Sequence, residues 1–244
     1  MSSLIEFKNI NKSFDGKIVL NGINLKVVQG KSLVLIGQSG SGKSVLLKCL
    51  LGIIQPNKGQ VIINNNSFFD QDLNKKEKIL KKFGVAFQGN ALFDSLKIWE
   101  NISFKLIQTQ KLSNKEIKDK VKHSMDLVGL SKSIMHQYPS QISGGMQKRV
   151  AIARAIIDEP EILIFDEPTA GLDPVTGGKI NNLIIDNVKR LGSTSLTITH
   201  DMDSVRKIAD NVAMISSGKI IWNGKKSEIE KSSNKELNEF INMI

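Results

Sequence analysis

The chain has 244 residues, of which 40% are hydrophobic and 24% are charged, a composition that is typical of a globular protein and excludes a disordered one. No apolar run approaches the roughly 18 residues that cross a bilayer, and the first residues lack the basic and apolar regions of a secretory signal. The single cysteine, Cys49, cannot form an internal disulfide. We therefore expect a protein that stays in the cytoplasm.

The formal net charge of +10 is compatible with more than one kind of surface. Lysines cluster at residues 75–82 and 111–122, where they alternate with Asn, Ile and Glu rather than with aromatic residues. This pattern favours a solvated lysine-rich surface. A face apposed to a membrane and a nucleic-acid site remain the alternatives.

The first elements are two predicted strands, residues 4–10 and 23–28, which alternate between apolar and polar residues. The Asp15-Gly16 pair between them predicts a tight turn, and so an antiparallel layer. Phe14 precedes this turn. It is either a core residue or a platform on which a flat base can stack.

A glycine-rich loop follows the apolar strand 32–36 and leads into a helix. It matches the pattern G-x-x-x-x-G-K-[ST], in which glycines let backbone N–H groups curl around phosphates. Lys43 would reach the β- and γ-phosphates, and the Ser44 hydroxyl would bind Mg²⁺. The alternative is a simple strand-to-helix connection. The predicted ATP-binding residues are Phe14, Gly37, Gln38, Ser39, Gly40, Ser41, Gly42, Lys43, Ser44 and Val45.

The chain beyond this loop returns to strands and then changes character. Gly52 ends the helix, residues 60–64 form the next strand, and residues 65–82 are predicted as loop and exposed helix. A short strand at 84–87 ends at Gln88, and ligands of open α/β sheets bind at such strand ends.

Residues 89–158 show helical periodicity and few strand signals. Ser113 and Glu116 have the spacing of a capping box at the start of one of these helices, which Gly129 ends. The sheet resumes with a buried strand at 161–166. This strand delivers the carboxylates of Asp166 and Glu167 at its end.

Asp173 and Pro174 are suited to be the N-cap and first residue of a helix that runs to about residue 190. A strand at 195–199 ends at His200. The remaining predicted elements are a helix at 202–209, strands at 212–216 and 219–223, and one or two short amphipathic helices in the tail.

The motifs together resemble one family. Ser143-Gly144-Gly145 precedes a helix, and Asp166-Glu167 follows a strand. Both motifs lie downstream of the phosphate loop. With this order of motifs, the chain resembles the ATPase subunit of ATP-binding cassette (ABC) transporters. The resemblance implies an α/β fold: a P-loop NTPase core with an antiparallel β layer and an inserted α-helical subdomain. The single domain 1–244 would comprise a core at 1–88 and 159–224, a helical subdomain at 89–158 and a helical tail at 225–244.

The resemblance also implies roles for particular residues. Phe14 would stack on adenine, Gln88 would sense Mg²⁺ and couple to a transport partner, and Asp173 would belong to the D-loop. The implied catalytic residues are Glu167 as the base, His200 on the γ-phosphate, Gln88 and Lys43, and the implied metal ligands are Ser44, Gln88 and Asp166. The implied signature residues are Ser143, Gly144, Gly145 and Met146.

In this family the signature lies far from its own phosphate loop, so it completes the site of another subunit. A homodimer, or a pair with a related cassette, is therefore expected. The cassette would lie peripherally on the inner face of the cell membrane, where it would bind a separate integral membrane permease. A soluble cassette of iron–sulfur cluster assembly, an importer cassette for another small solute and a nucleic-acid-associated cassette are the alternatives. No nucleic acid is expected, because ribosome-acting members typically carry two cassettes in one chain.

Two departures from the commonest pattern are informative. Met146 stands where the signature usually has Gln. Gln88 is followed by the segment Gly89-Asn90-Ala91-Leu92-Phe93-Asp94-Ser95-Leu96 and then by Trp99-Glu100-Asn101-Ile102. This combination looks like cassettes of the Mla type (maintenance of lipid asymmetry), which work with a permease and a lipid-binding protein. It predicts transport of phospholipids.

Overall fold

The computed structural model describes residues 2–109 and 112–242, and these group into two compact units. The first unit holds the described residues of Met1–Lys81 and Thr194–Ile244, and the second is Lys82–Ser193. Lys111 and the last two residues of the predicted tail lie outside the described residues. The predicted borders between core and helical subdomain, at residues 88/89 and 158/159, differ from the borders of these compact units. The division into core and subdomain stays a prediction.

The first unit contains an antiparallel sheet in the order β2-β1-β4-β5. Its strands are β1 (Ser3–Phe14), β2 (Lys17–Val28), β4 (Lys58–Ile63) and β5 (Asn66–Ser67). Along β2, Ile23, Leu25 and Val27 are buried while Asn24 and Lys26 are exposed, so one face packs on the core and the other faces water. The predicted antiparallel layer is confirmed, with both early strands longer than the sequence indicated.

The same unit contains strands in the order β10-β9-β3-β8, which support the phosphate loop. These are β3 (Ser32–Ile36), β8 (Thr194–Ile198), β9 (Asn211–Ser216) and β10 (Lys219–Lys225). β3 pairs in parallel with β8 and β9, and all five of its residues are buried. A continuous apolar run is typical of such a central parallel strand.

Helices α1 (Lys43–Leu50), α2 (Leu73–Leu80), α7 (Met202–Ile208) and α8 (Lys235–Asn242) complete the first unit. Cys49 on α1 is fully buried, and burial raises the pKa of its thiol to about 11. In the tail, Leu237 and Phe240 anchor α8 in the core, and a 3-10 segment precedes it at Lys226–Lys231. The prediction of short amphipathic helices there is confirmed for the described part.

The second unit pairs β6 (Phe83–Ala86) in parallel with β7 (Ile162–Asp166) and surrounds them with helices. The helices are α3 (Ile98–Thr109), α4 (Asn114–Leu127), α5 (Gly144–Ile156) and α6 (Pro174–Leu191). The predicted capping box is present: Ser113 Oγ accepts a hydrogen bond from the Glu116 N–H, and the Glu116 carboxylate accepts one from the Ser113 N–H. None of the described helices is long and apolar enough to cross a membrane.

Candidate functional site

The loop after β3 has a backbone that only glycine can adopt at two positions. Gly37 has φ 153°, and a Cβ there would lie 2.3 Å from the Ile215 carbonyl oxygen. Gly42 has φ 113°, and its Cβ would lie 2.8 Å from Leu20 Cδ2. Both distances are shorter than any real Cβ contact. The glycine pattern is therefore required by close packing against β9 and β2, and not only by chain flexibility.

The polar groups of this loop fit a phosphate chain. Helix α1 begins at Lys43 with no side-chain cap, and the N-terminus of a helix favours an anion. Lys43 is 8% exposed, and its ammonium donates to the carbonyl oxygens of Gly37 at 2.6 Å and Gln38 at 2.9 Å. The Ser41 hydroxyl is one of three buried side-chain oxygens in the described chain that lack a hydrogen-bond partner. Such a group is suited to meet a ligand oxygen.

His200 lies at the same edge of the sheet as the phosphate loop. Leu35 of β3 pairs with Ile198 of β8, and the Thr199 N–H donates to the Leu35 carbonyl oxygen at 3.2 Å. His200 is the next residue and is exposed. The parallel register thus brings together two predicted parts of the site that are more than 150 residues apart in the chain.

Phe14 is the last residue of β1 and is 42% exposed, so the alternative of a core aromatic is wrong. The Lys12 ammonium lies 5.1 Å from the ring centroid. The side chain is therefore accessible at the end of β1, with the Lys12 cation over one face of the ring. Its contact with adenine stays a prediction.

In the second unit, a parallel register brings Gln88 and Asp166 to one sheet edge. Ala86 of β6 pairs with Phe165 of β7. Gln88 lies two residues beyond its strand and is exposed, and Asp166 ends β7 with a half-buried carboxylate. An amide and a carboxylate at the carboxyl ends of neighbouring parallel strands form a polar edge suited to Mg²⁺ and phosphate.

Glu167 follows directly and is held in an unusual conformation. It is 8% exposed and has φ 49°, a left-handed backbone that non-glycine residues rarely adopt. The Ala170 N–H donates to the Glu167 carbonyl oxygen at 3.2 Å and closes a turn. Strain of this kind clusters at functional sites, which agrees with the predicted role of Glu167.

A second buried charge accompanies this carboxylate and was not among the residues predicted from the sequence. Lys148 on α5 is 8% exposed. Burial lowers the pKa of its ammonium, and the negative charge of Glu167 opposes that shift. The helical spacing of Lys148 with the buried Ala151 and Ala155 is the signal that could have placed it on the inner face of the helix.

The signature residues open helix α5. Ser143 is its N-cap, and Ser143 Oγ accepts a hydrogen bond from the Met146 N–H at 3.3 Å. Ser143 and Gly144 are exposed, whereas Gly145 and Met146 are half-buried. A Cβ on Gly145 would lie 3.2 Å from Thr176 Cγ2, so the start of α5 packs closely on the first turn of α6.

Asp173 caps helix α6, as the sequence predicted, and Pro174 is the first helical residue. The Oδ1 atom of Asp173 accepts a hydrogen bond from the Thr176 N–H at 3.0 Å. Hydrogen bonds from Thr176 lower the pKa of the Asp173 carboxyl below its ordinary value. The capping role is confirmed, and the D-loop role stays a prediction.

Comparison with known proteins gives the context of these features. The family model described as "ABC transporter" matches residues 20–170, more than half of the chain. The chain is 37% identical over 254 residues to "Protein TRIGALACTOSYLDIACYLGLYCEROL 3, chloroplastic" of Arabidopsis thaliana, covering 97% of this chain and 73% of that protein. It is 34% identical to "Probable ribonucleotide transport ATP-binding protein mkl" of Mycobacterium leprae, covering 99% of this chain and 70% of that protein.

The fold is also similar to solved structures. One is the dimeric post-hydrolysis state of the ATP-binding cassette MJ0796 bound to ADP and Pi, with a TM-score of 0.83 and 31% identity. This match covers 91% of the present chain and 98% of the other. The loop geometry, the family model and these similarities agree, and the α/β fold expected from the sequence is confirmed. The chain belongs to the ABC transporter family, and it is an ATP-binding cassette that hydrolyses ATP with Mg²⁺ as its cofactor.

Proposed function

We propose that this cassette energises a separate membrane permease that transports phospholipids or related lipids. The observation that carries the proposal is the similarity, along 97% of the chain, to a plant protein whose name contains that of a glycolipid. Met146 in the signature and the segment after Gln88 support it, because both resemble cassettes of the Mla type. The permease, a lipid-binding protein and a place on the inner face of the cell membrane belong to the same proposal.

The phosphate loop would bind the nucleotide through charge and backbone donors. Lys43 sits in the loop with its ammonium on the Gly37 and Gln38 carbonyl oxygens, which holds its charge where the β- and γ-phosphates would lie. Phe14 would stack on adenine with its exposed face. Ser44, Gln88 and Asp166 would hold Mg²⁺, which supplies positive charge to the phosphate oxygens.

Hydrolysis requires a water placed in line with the γ-phosphate and a group that polarises it. Glu167 would orient and polarise this water, because its carboxylate is buried and its strained backbone fixes its direction. His200 would donate to the γ-phosphate from the carboxyl end of β8. The chain's contribution is positioning and charge, since phosphoryl transfer needs little covalent help from a protein.

We further propose that two copies, or one copy and a related cassette, share their ATP sites. Ser143 and Gly144 are exposed at the N-terminus of α5, where a helix favours an anion. In the dimer, Ser143 and Gly144 of one subunit would contact the γ-phosphate that is bound by Lys43 of the other subunit. The dimeric state of the MJ0796 cassette supports this arrangement.

One other function has specific support. The similarity to a protein named for ribonucleotide transport favours an importer of a small polar solute. This alternative does not explain the similarity to the lipid-related protein as directly. The soluble cassette of iron–sulfur cluster assembly stays an alternative from the sequence alone.

Copurification tests the proposal. The tagged Glu167→Gln variant is isolated from native membranes in mild detergent, with the unmutated chain and Lys43→Ala alongside, and proteins and lipids are identified by mass spectrometry. We expect a permease, a lipid-binding protein and enrichment of phospholipid over the bulk membrane. Recovery of a permease with a soluble solute-binding protein would instead identify an importer. Recovery of iron–sulfur assembly proteins would identify a soluble cassette, and recovery of nucleic acid that salt removes would identify a nucleic-acid-associated cassette.

A further inference from the structure

The loop that follows Gln88 has two consecutive residues in the left-handed conformation. Asn90 has φ 60° and Ala91 has φ 46°. Asparagine tolerates this region, but alanine adopts it at an energetic cost because of its Cβ. The Asn90 N–H donates to the Phe87 carbonyl oxygen at 2.9 Å, and the Ala91 N–H donates to that of Gly89 at 2.7 Å. Something outside the loop must stabilise this shape.

The guanidinium of Arg154 provides that stabilisation. Its Nη1 donates to the Ala91 carbonyl oxygen at 2.7 Å, and its Nη2 donates to the Asn90 carbonyl oxygen at 2.6 Å. The two strained residues are therefore held by the two arms of one planar fork, a geometry that lysine cannot reproduce. The cation is half-buried, and desolvation lowers its pKa.

Arg154 belongs to α5, the helix that begins with the signature residues. Gln147 on the same helix accepts a weaker hydrogen bond, 3.5 Å long, from the Asn90 amide. The Gln147 amide in turn donates to the Pro139 carbonyl oxygen at 2.9 Å, just before the signature. The loop is thus attached to α5 at two points about two helical turns apart.

We propose that Arg154 is a positioning residue that joins the loop after Gln88 and helix α5 into one body. A displacement of this loop by the permease then moves Ser143 and Gly144 together with it. Arg154 thus links the loop after Gln88, which would sense the transport partner, to the start of α5, which would complete the ATP site of the neighbouring subunit. The inference rests on the proposed function, which assigns those two roles.

Arg149 provides a matched control. It lies on the same helix, and its Nη1 also donates to two backbone carbonyl oxygens, those of Val128 at 3.2 Å and Gly129 at 3.3 Å. These carbonyls lie at the C-terminal end of helix α4 and not in the loop after Gln88. Arg149→Lys and Arg154→Lys therefore remove the same kind of interaction from two different neighbours.

The first measurement is amide hydrogen exchange of residues 89–92 in the purified full-length variants. We expect exchange in Arg154→Lys to be about tenfold faster than in the unmutated chain, because one or two strong hydrogen bonds are lost, and unchanged in Arg149→Lys. ATPase kinetics on the same samples should show a kcat lower by about tenfold in Arg154→Lys with KM changed less than about twofold. Equal exchange and equal kcat in the two variants would overturn the proposal.

The second measurement separates the shape of the loop from its attachment. Ala91→Gly removes the cost of the left-handed backbone, so in the Arg154→Lys background it should restore slow exchange at residues 89–92. It should not restore kcat, because the link to α5 is still missing. Recovery of kcat would show that Arg154 only shapes the loop and would contradict the inference. If the unmutated chain hydrolyses ATP but copurifies with no permease, the proposed function is wrong. The exchange measurement would still show whether Arg154 joins the loop after Gln88 to helix α5.

Discussion

Two loops at the carboxyl ends of parallel strands reach unusual backbone conformations in different ways. The phosphate loop does so with glycines, of which Gly37 and Gly42 pack so closely that no side chain fits. The loop after β6 instead places Asn90 and Ala91 in the left-handed region, with no glycine at either position. There the conformation is stabilised by Arg154 of helix α5. One loop is specified by its own residues and the other by its tertiary contacts.

The largest effect is expected at Glu167. Glu167→Gln keeps the size and the turn but removes the charge that polarises water, so kcat should fall about a thousandfold while ATP affinity changes less than about twofold. Steady-state ATPase rates and nucleotide titration measure both quantities. Glu161→Gln, at the other end of β7, is the control and should keep full activity because Glu161 is exposed. Near-normal turnover in Glu167→Gln would remove this residue from the role of base.

Alanine substitutions test whether the phosphate loop needs glycine for space or for conformation. Gly37→Ala places a Cβ 2.3 Å from the Ile215 carbonyl oxygen, whereas Gly40→Ala at φ 77° meets nothing within 4 Å. We expect a loss of about 3 kcal/mol in unfolding free energy for the first and about 1 kcal/mol for the second. Urea denaturation measures both. Equal losses would mean that backbone conformation alone explains the glycines.

Cys49, just after the phosphate loop, predicts a pH dependence. Burial raises its thiol pKa from 9.0 to about 11, so the folded state holds the proton more tightly than the unfolded state. Its stabilising contribution is full below pH 9 and is lost as the pH rises toward 11, amounting to roughly 3 kcal/mol. The unfolding free energy of the unmutated chain should fall more steeply over this window than that of Cys49→Ala. Parallel curves would contradict the prediction.

Lys148→Met should have the smallest effect on stability and should also lower activity. Removing the buried cation relieves its desolvation cost but leaves the buried Glu167 carboxylate without a nearby positive charge, so these two effects oppose each other and the unfolding free energy should fall by about 1 kcal/mol. The turnover number should fall as well, because Glu167 loses that positive charge. Arg149→Met serves as the control for activity. A Lys148→Met variant with unchanged kcat would show that this cation does not support the carboxylate.

The same contrast explains how much the sequence could predict. The Asp15-Gly16 turn, the Ser113 capping box and the Asp173 cap were all recognisable, because each conformation is encoded within about four residues. The short strand β5 was missed, since two residues carry no periodic pattern. The left-handed Asn90 and Ala91 depend on residues elsewhere in the chain and have no local signature. The burial of Lys148 had only its helical spacing with Ala151 and Ala155 as a signal.

Complementation between two defective chains shows directly whether two subunits share each ATP site. Lys43→Ala removes the phosphate-binding cation, and Gly144→Glu places a charge and a side chain in the signature. If two subunits share each site, a mixed dimer keeps one of its two sites intact. Random pairing makes about half of the dimers in an equimolar mixture mixed, so the mixture should trap roughly a quarter of the ATP held by the unmutated pair after gel filtration in a Glu167→Gln background. Each variant alone should trap none. A mixture that traps no more ATP than the separate variants would contradict the shared site.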